Sequence, residues 1–406
     1  MMRGHPVQFE KAYIPYGGYW STPFCRWQGS FGHLHAVRFA AEVAVQALRE
    51  RKISAEVLDG LFLGLTVPQQ FGFYGAPWVA GLIGAPGITG PTIGQACATS
   101  GRVIASAAAE IELGTHACVL ALLCDRTSNS PHIYYPNPLA AGGIGDTENW
   151  VWDNFGHDPF AKNSMVQTAE NVARQARIDR AAQDETALIR YQQYQDALKD
   201  NAVFLKRFMI TPVEVKDPAG RQVIHTVASD EGVFPTTAEG LAKLKPVLEG
   251  GTVTFGTQTH PADGNAGLIV TTKEKAAVLS RDRSVVVRVV SYGQGRAARG
   301  FMAMANVPAA RQALERAGLT LRDVKAIKTH NPFAVNDVYF AREMGIDVFA
   351  MNRFGSSLVW GHPQAPTGAR LIMELIEELV QTGGGYGLFT GCAAGDTALA
   401  VIVKVD

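Results

Sequence analysis

Gln95-Ala-Cys-Ala-Thr-Ser-Gly-Arg-Val-Ile-Ala-Ser-Ala-Ala-Ala-Glu-Ile-Glu-Leu-Gly114, followed closely by the apolar run 117–123, is the stretch that decides the fold. A cysteine stands ahead of a helix, about 98–113, whose residues are small on nearly every side. Small residues on every side suit a helix enclosed between layers, where bulky side chains would not fit. The run 117–123 reads as a fully buried strand. Upstream, 35–51 has helical apolar spacing and 59–65 is a short apolar strand. The same order recurs near the C-terminus, with a helix over 307–317, a strand over 324–330, the turn Gly361-His-Pro363, a helix over 366–381 and strands over 386–390 and 398–405. Pro363 and Pro366 suit the start of that last helix, and Gly383-Gly-Gly385 suits its end.

An α/β chain of two similar halves follows, spanning 1–130 and 261–406. The segment between them, 131–260, does not repeat and is rich in Asn, Asp, Gly and aromatic residues. It contains one polar helical stretch, 167–198, and reads as an inserted loop domain laid over the active face. If the halves pack face to face, Cys97 and His362 occupy equivalent places, each ahead of a helix start. Two helix N-termini then converge, and both favour a thiolate at Cys97.

Composition narrows the function. The 406 residues are 47% hydrophobic and 18% charged, with 37 basic and 37 acidic side chains, so no electrostatic surface for nucleic acid is expected. The five cysteines (25, 97, 118, 124 and 392) form no CxxC pair, and their odd number argues against a disulfide scaffold or a zinc ribbon. His33 and His35 have no third ligand nearby, and no metal is expected in this chain. The N-terminal Met-Met-Arg-Gly-His-Pro lacks an apolar signal core, and no stretch has the roughly 18 apolar residues of a membrane span, so a cytoplasmic protein is expected. Gly293-Gln-Gly295 lacks the third glycine and the acidic partner of a dinucleotide loop, and Gly-x-Ser-x-Gly is absent.

Cys97, His330, His362 and Cys392 each stand where a strand reading gives way to a loop or helix start. Each alone has a bland reading, as a small core residue or a capping ring. Together they supply a thiol nucleophile, a base beside it and a second thiol as a proton carrier of matched acidity. Asn331 and Asn336 beside His330 allow a hydrogen-bonded polar pocket. The set suits carbon–carbon bond chemistry on a thioester.

These motifs resemble the thiolase family over nearly the whole chain. The family's cysteine motif is matched by 93–101 and its Met-Ser turn by 119–131. Its insertion helix is matched by 165–193, with Thr168-Ala-Glu-Asn171, and its Gly-Gly-Thr-Val-Thr-x-Gly segment by 250–256. His-x-x-Phe-Ala is 330–334, the Gly-His-Pro block is 352–370 and the last cysteine motif is 392–396. The resemblance implies a layered αβαβα fold whose insertion covers coenzyme A. It implies Cys97 as the acylated nucleophile, His362 as its base, Cys392 as acid and base at the α-carbon, and His330 at the enolate oxygen. The N–H groups of Cys97 and Ala394 would hold the tetrahedral oxyanion, while Thr259, and with it Asn331 and Phe333, would contact the CoA-bound substrate.

CoA, as a substrate, and acyl-CoA are the implied ligands, with a homodimer or dimer of dimers as the assembly. The departures, Ser356, Trp360, Gln364-Ala-Pro366 and Cys392-Ala-Ala-Gly-Asp396, are expected to reshape the acyl pocket. Within the family the chain most resembles the branch containing the benzoylsuccinyl-CoA thiolase large subunit. That likeness implies 2-benzoylsuccinyl-CoA as substrate and a small zinc-ribbon and barrel companion subunit. An acetoacetyl-CoA type of acetyltransferase and a catalytically silent acyl-CoA-binding scaffold are the alternatives.

Overall fold

A computed structural model describes residues 9–406. The first half contains strand β1 (Tyr13–Ile14), helix α1 (Ala36–Glu50), strands β2 (Gly60–Gly64) and β3 (Thr92–Ile93), helix α2 (Thr99–Leu113) and strand β4 (Cys118–Arg126). The insertion carries α3 (Met165–Gln175) and α4 (Arg180–Ala197), after which β5 (Ala262–Thr271) follows. The second half contains β6 (Val287–Arg296), α5 (Asn306–Ala317), β7 (Val324–His330), α6 (Ala334–Met344), α7 (Thr367–Gln381), β8 (Gly385–Ala393) and β9 (Thr397–Val405).

Strand order is β7-β8-β9-β6-β1-β5-β4-β2-β3. In each half two parallel strands, β2 with β4 and β7 with β8, are followed by an antiparallel one, β5 or β9. The short β1 joins the halves by pairing with both β5 and β6. β5 lies beyond the insertion yet pairs with β4 continuously from Asp263↔Arg126 to Thr271↔Cys118. The segment 261–406 therefore opens with the strand that completes the first half's sheet. The insertion departs from one sheet edge-to-edge partner and returns on the other.

Helices α2 and α7 pack on each other, and each touches strands of both halves. Helix α1 covers β4 and β5 from outside, and α5 covers β6, β8 and β9. This is the five-layer α/β arrangement. It explains why every residue of β5 is buried, its polar Asp263 and Asn265 included: both faces are covered. The small residues of α2 are a packing requirement. A Cβ on Gly101 would sit 2.3 Å from Leu399 Cδ2, and one on Gly368 would sit 2.8 Å from Phe389 Cζ and 3.0 Å from Ser100 Cβ.

The polar stretch 167–198 is two helices rather than one. Arg177 adopts a left-handed conformation (φ 51°) and the Asp179 side chain caps α4 by accepting from Ala182 N at 2.9 Å. Gly293 and Gly295 bring β6 against α5, where added Cβ atoms would lie 2.2 Å from Ala309 O and 2.5 Å from Ala305 O. His35 is the N-cap of α1, and the His33 ring pairs with Lys216 O at 2.8 Å. Among the described residues, no helix is long and apolar enough to cross a membrane.

Gly101→Val should force Leu399 to move in a layer closed on both sides. The expected cost is about 1–3 kcal/mol, read as a lower urea midpoint with unchanged slope. A neutral result would mean the contact between α2 and β9 is not tight.

Candidate active site

Ala96, just before Cys97, holds a left-handed φ of 43°, a strained setting for a residue with a side chain. The bend ends the loop after β3 and presents Cys97 ahead of α2. Two contacts then lock this start to the turn before α7. The Ser100 hydroxyl donates to Ala365 O. On the other side Asp125, at the end of β4, accepts from Thr66 N at 2.9 Å, Thr66 Oγ1 at 2.7 Å, Val67 N at 2.9 Å and Ala365 N at 2.7 Å. Burial pushes the Asp125 carboxyl up to about 7 against those four bonds. One carboxylate thus ties a loop of the first half to the Gly-His-Pro turn of the second.

Both imidazoles are oriented from behind. His330 ends β7, and its Nδ1 pairs with Ser357 Oγ at 2.8 Å. Ser357 spends its own hydrogen on Asn331 Oδ1 at 3.1 Å, so the hydroxyl accepts from His330 Nδ1–H and leaves Nε2 bare. His362 Nδ1 pairs with Thr367 Oγ1, the first residue of α7, at 2.7 Å. The rings lie 4.0 Å apart at 30°, and neither Nε2 has a hydrogen-bond partner. Cys97 Sγ and one nitrogen of each ring all lie within 4.8 Å of one another. Cys392 closes the group, with Asn336 Nδ2 donating to its Sγ at 3.2 Å.

Behind His330 stands a fully buried polar network. Asp337 receives Arg190 Nε at 2.8 Å, Asn331 Nδ2 at 2.6 Å, Thr329 Oγ1 at 2.5 Å and Asn352 Nδ2 at 3.1 Å. Arg190 and Asp337 are each wholly inaccessible, so this ion pair is kept by its additional hydrogen bonds. It fixes the 329–337 segment that carries His330.

Electrostatics here differ from the sequence expectation. The helix start was expected to depress the Cys97 thiol, but burial pushes it up to about 12, even though the N–H groups of Ala394 and of Cys97 itself aim at its sulfur and pull the other way. Burial also pushes His330 down to about 3. His362 is lowered by burial and by neighbouring His330. The Cys392 thiol is raised by burial and by Cys97. The resting group is therefore neutral throughout: thiols with free bases beside them, rather than a thiolate–imidazolium pair.

Cys97, His362 and Ala394 face a cavity of about 1120 Å³, and His330 and Cys392 stand behind them. Thr259 and Phe333 line this cavity, although the Thr259 hydroxyl already donates to Ser357 O at 2.5 Å. Asn331 does not line it; its amide is spent on Ser357, Leu358 N and Asp337. Of the residues expected to reshape the acyl pocket, Gln364 lines the cavity. Trp360 does not, being fully buried against Phe24 and under Arg370 (4.2 Å), and Ser356 is buried away from the cavity as well. Thr367, Ser357, Asp125 and Asp337 are supporting residues that the motif reading passed over.

The chain matches the thiolase N-terminal domain model over residues 19–274 and the thiolase C-terminal domain model over 283–405. It is 32% identical over 385 residues to beta-ketothiolase BktB of Cupriavidus necator, covering 93% of this chain and 95% of that one. It is 30% identical over 395 residues to an acetyl-CoA acetyltransferase of Syntrophomonas wolfei, covering 94% and 96%. The fold superposes on human mitochondrial 3-ketoacyl-CoA thiolase in complex with CoA with a TM-score of 0.89 at 26% identity, covering 99% of this chain and 100% of that one. A layered fold closed around a cysteine and two imidazoles defines an acyltransferase. The chain belongs to the thiolase family.

Because His362 is held below its ordinary pKa of about 6.5, its basic form persists as pH falls through that value. Acylation of Cys97 should therefore change less than about two-fold between pH 8 and 6.5, followed by rapid-quench mass spectrometry. A loss centred at or above pH 6.5, or thiolate absorbance from Cys97 in the resting protein at pH 7, would contradict this neutral group.

Proposed function

We propose that this thiolase cleaves a bulky 3-oxoacyl-CoA, with 2-benzoylsuccinyl-CoA as the candidate substrate, giving benzoyl-CoA and succinyl-CoA. In the first half-reaction Cys97 Sγ attacks the 3-oxo carbon as its proton passes to His362 Nε2. The resulting oxyanion is held by the N–H groups of Cys97 and Ala394. Collapse breaks the bond between carbons 2 and 3, leaving an acyl group on Cys97. The departing enolate takes a proton from Cys392, while its oxygen accepts from the Nε2–H that His362 has gained and, through a water donating to His330 Nε2, is held by that ring as well. His362 then passes the Cys97 proton to the Cys392 thiolate, which restores Cys392. In the second half-reaction the freed His362 Nε2 takes the proton of the CoA thiol as its sulfur attacks the acyl-cysteine, and returns it to the Cys97 sulfur as the acyl group leaves.

The observation that carries the choice of a bulky acyl group is the wall beside Cys97. Leu65, Thr66, Trp150 and Gln364 line the cavity together with Cys97 and His362. The Trp150 indole is held by its Nε1, which donates to Thr66 O at 2.9 Å, and Thr66 is itself fixed by Asp125. A flat apolar face held by two partly buried contacts suits an aromatic or branched acyl group. The cavity's volume leaves room for such a group beyond a pantetheine arm. Much of the remaining wall, from Trp152 and Met165 to Phe234 and Phe255, comes from the 131–260 insertion, which supports a cover over CoA.

The likeness to an acetyl-CoA acetyltransferase favours a smaller acyl group as the second reading. A substrate panel separates the two, run with and without any small subunit that copurifies. Benzoylsuccinyl-CoA should exceed acetoacetyl-CoA in kcat/KM by at least about ten-fold, and the reverse order would establish the acetoacetyl type. Cys97→Ala should abolish acyl transfer; if intact wild-type Cys97 never gains acyl mass from any 3-oxoacyl-CoA, the chain is a silent scaffold. Cys392→Ser should slow carbanion protonation far more than acyl-enzyme formation, and equal losses would remove Cys392 from its role.

A further inference from the structure

Three properties of the cluster formed by Cys97, His330 and His362 reach beyond acyl transfer. First, the set holds one sulfur and two imidazole nitrogens within 4.8 Å of each other. Tetrahedral bonds of roughly 2.0–2.3 Å require ligand atoms roughly 3.3–3.6 Å apart, so closure by about an ångström suffices, within reach of side-chain rotation. Second, the nitrogens that lack any partner are the Nε2 atoms of two rings that are 0% and 6% exposed. Third, each ring is braced through Nδ1, His330 by Ser357 Oγ at 2.8 Å and His362 by Thr367 Oγ1 at 2.7 Å. Histidines that bind metal are braced in this way at the far nitrogen, which fixes the tautomer and aims the free lone pair.

We infer that Cys97, His330 and His362 form a binding site for a borderline-soft divalent cation, Zn²⁺ above all, whose occupation excludes acylation of Cys97. On binding, a sulfur–zinc bond forms, the Cys97 S–H bond breaks and its proton leaves to solvent, so one proton is released for each ion bound. The two imidazoles add as neutral donors without losing a proton. Three protein ligands leave the fourth position toward the cavity, where water or an incoming thioester oxygen would sit. The donor set of one sulfur and two nitrogens selects against magnesium and calcium, which take oxygen ligands. Asp125 is engaged by four donors and is not a competing ligand.

Binding itself does not rest on the proposed turnover; only its inhibitory consequence does. The same bare nitrogens that await the Cys97 proton are the ones that would hold the ion. Metal capture and catalysis therefore exclude each other.

Cobalt(II) serves as the probe on the full chain, because a tetrahedral cobalt–thiolate site has intense visible bands and a near-ultraviolet sulfur-to-metal charge-transfer band. The expected result is saturation at one equivalent, with both features erased by added Zn²⁺, which binds more tightly. Prior alkylation of Cys97 with iodoacetamide should abolish the charge-transfer band, and Cys97→Ala should do the same. His330→Asn should weaken cobalt binding at least ten-fold, checked against an unchanged circular dichroism spectrum. Saturation without a charge-transfer band would overturn the site, as would binding that survives alkylation or a His330→Asn affinity within two-fold of wild type. Separately, Zn²⁺ should block acylation of Cys97 and a chelator should restore it. A spectroscopic site in a protein that never acylates would uphold the metal site and refute the proposed turnover.

Discussion

The close approach of α2 to α7 is the constraint from which the site follows. Gly101 against Leu399, and Gly368 against Ser100 and Phe389, leave no room for a Cβ. Only with those contacts do Cys97 and His362, one on each half, stand at neighbouring helix starts. The Ser100 bond to Ala365 O and the four-fold clamp of Asp125 then hold the two turns in register. Packing brings the elements together, and the polar contacts select one arrangement among those that packing allows. Enclosure of two helices between sheets is thus a condition of the chemistry as well as of stability.

The same enclosure sets the protonation states. Two helix N-termini favour a thiolate, but desolvation of the charged form outweighs them at Cys97. Both histidines respond in the complementary sense and remain neutral. A neutral thiol beside a neutral base means that charge develops only during attack. In the proposed attack the Cys97 and Ala394 N–H groups would therefore do most for the transition state, which is where such donors contribute to rate.

Much of this was legible in the sequence, for physical reasons. The duplication showed because buried strands and small-residue helices have narrow composition. The strand over 324–330 and the helices at 98–113, 307–317 and 366–381 lie within a residue or two of their observed bounds. The four side chains that the structure gathers at the candidate site showed because thiols and imidazoles on glycine-rich turns are chemically conspicuous. What failed was orientation. Trp360 follows a motif position and looked like a pocket residue, yet it turns into the core beneath Arg370. Asn331 neighbours His330 and looked like a ligand contact, yet its amide is consumed by Ser357 and Asp337. The 167–198 stretch broke because Arg177 and Asp179 together favour a turn and a new cap, a signal carried by two residues inside a long helical pattern.

The supporting residues were hidden for a different reason. Asp125 follows the apolar run Val119 to Cys124 near the end of its strand, and a carboxyl group buried there had to be met by several donors. Which donors met it depends on loops 59 and 240 positions away along the chain, and no local pattern records that. Thr367 and Ser357 are ordinary helix-start residues until the rings of His362 and His330 arrive beside them. Once they do, each hydroxyl removes one nitrogen of its ring from play and leaves the other bare. The proton transfer from Cys97 and the metal capture proposed above would both draw on such an unpartnered nitrogen, so the bracing proposed to suit this site to acyl transfer would also make it a trap for zinc.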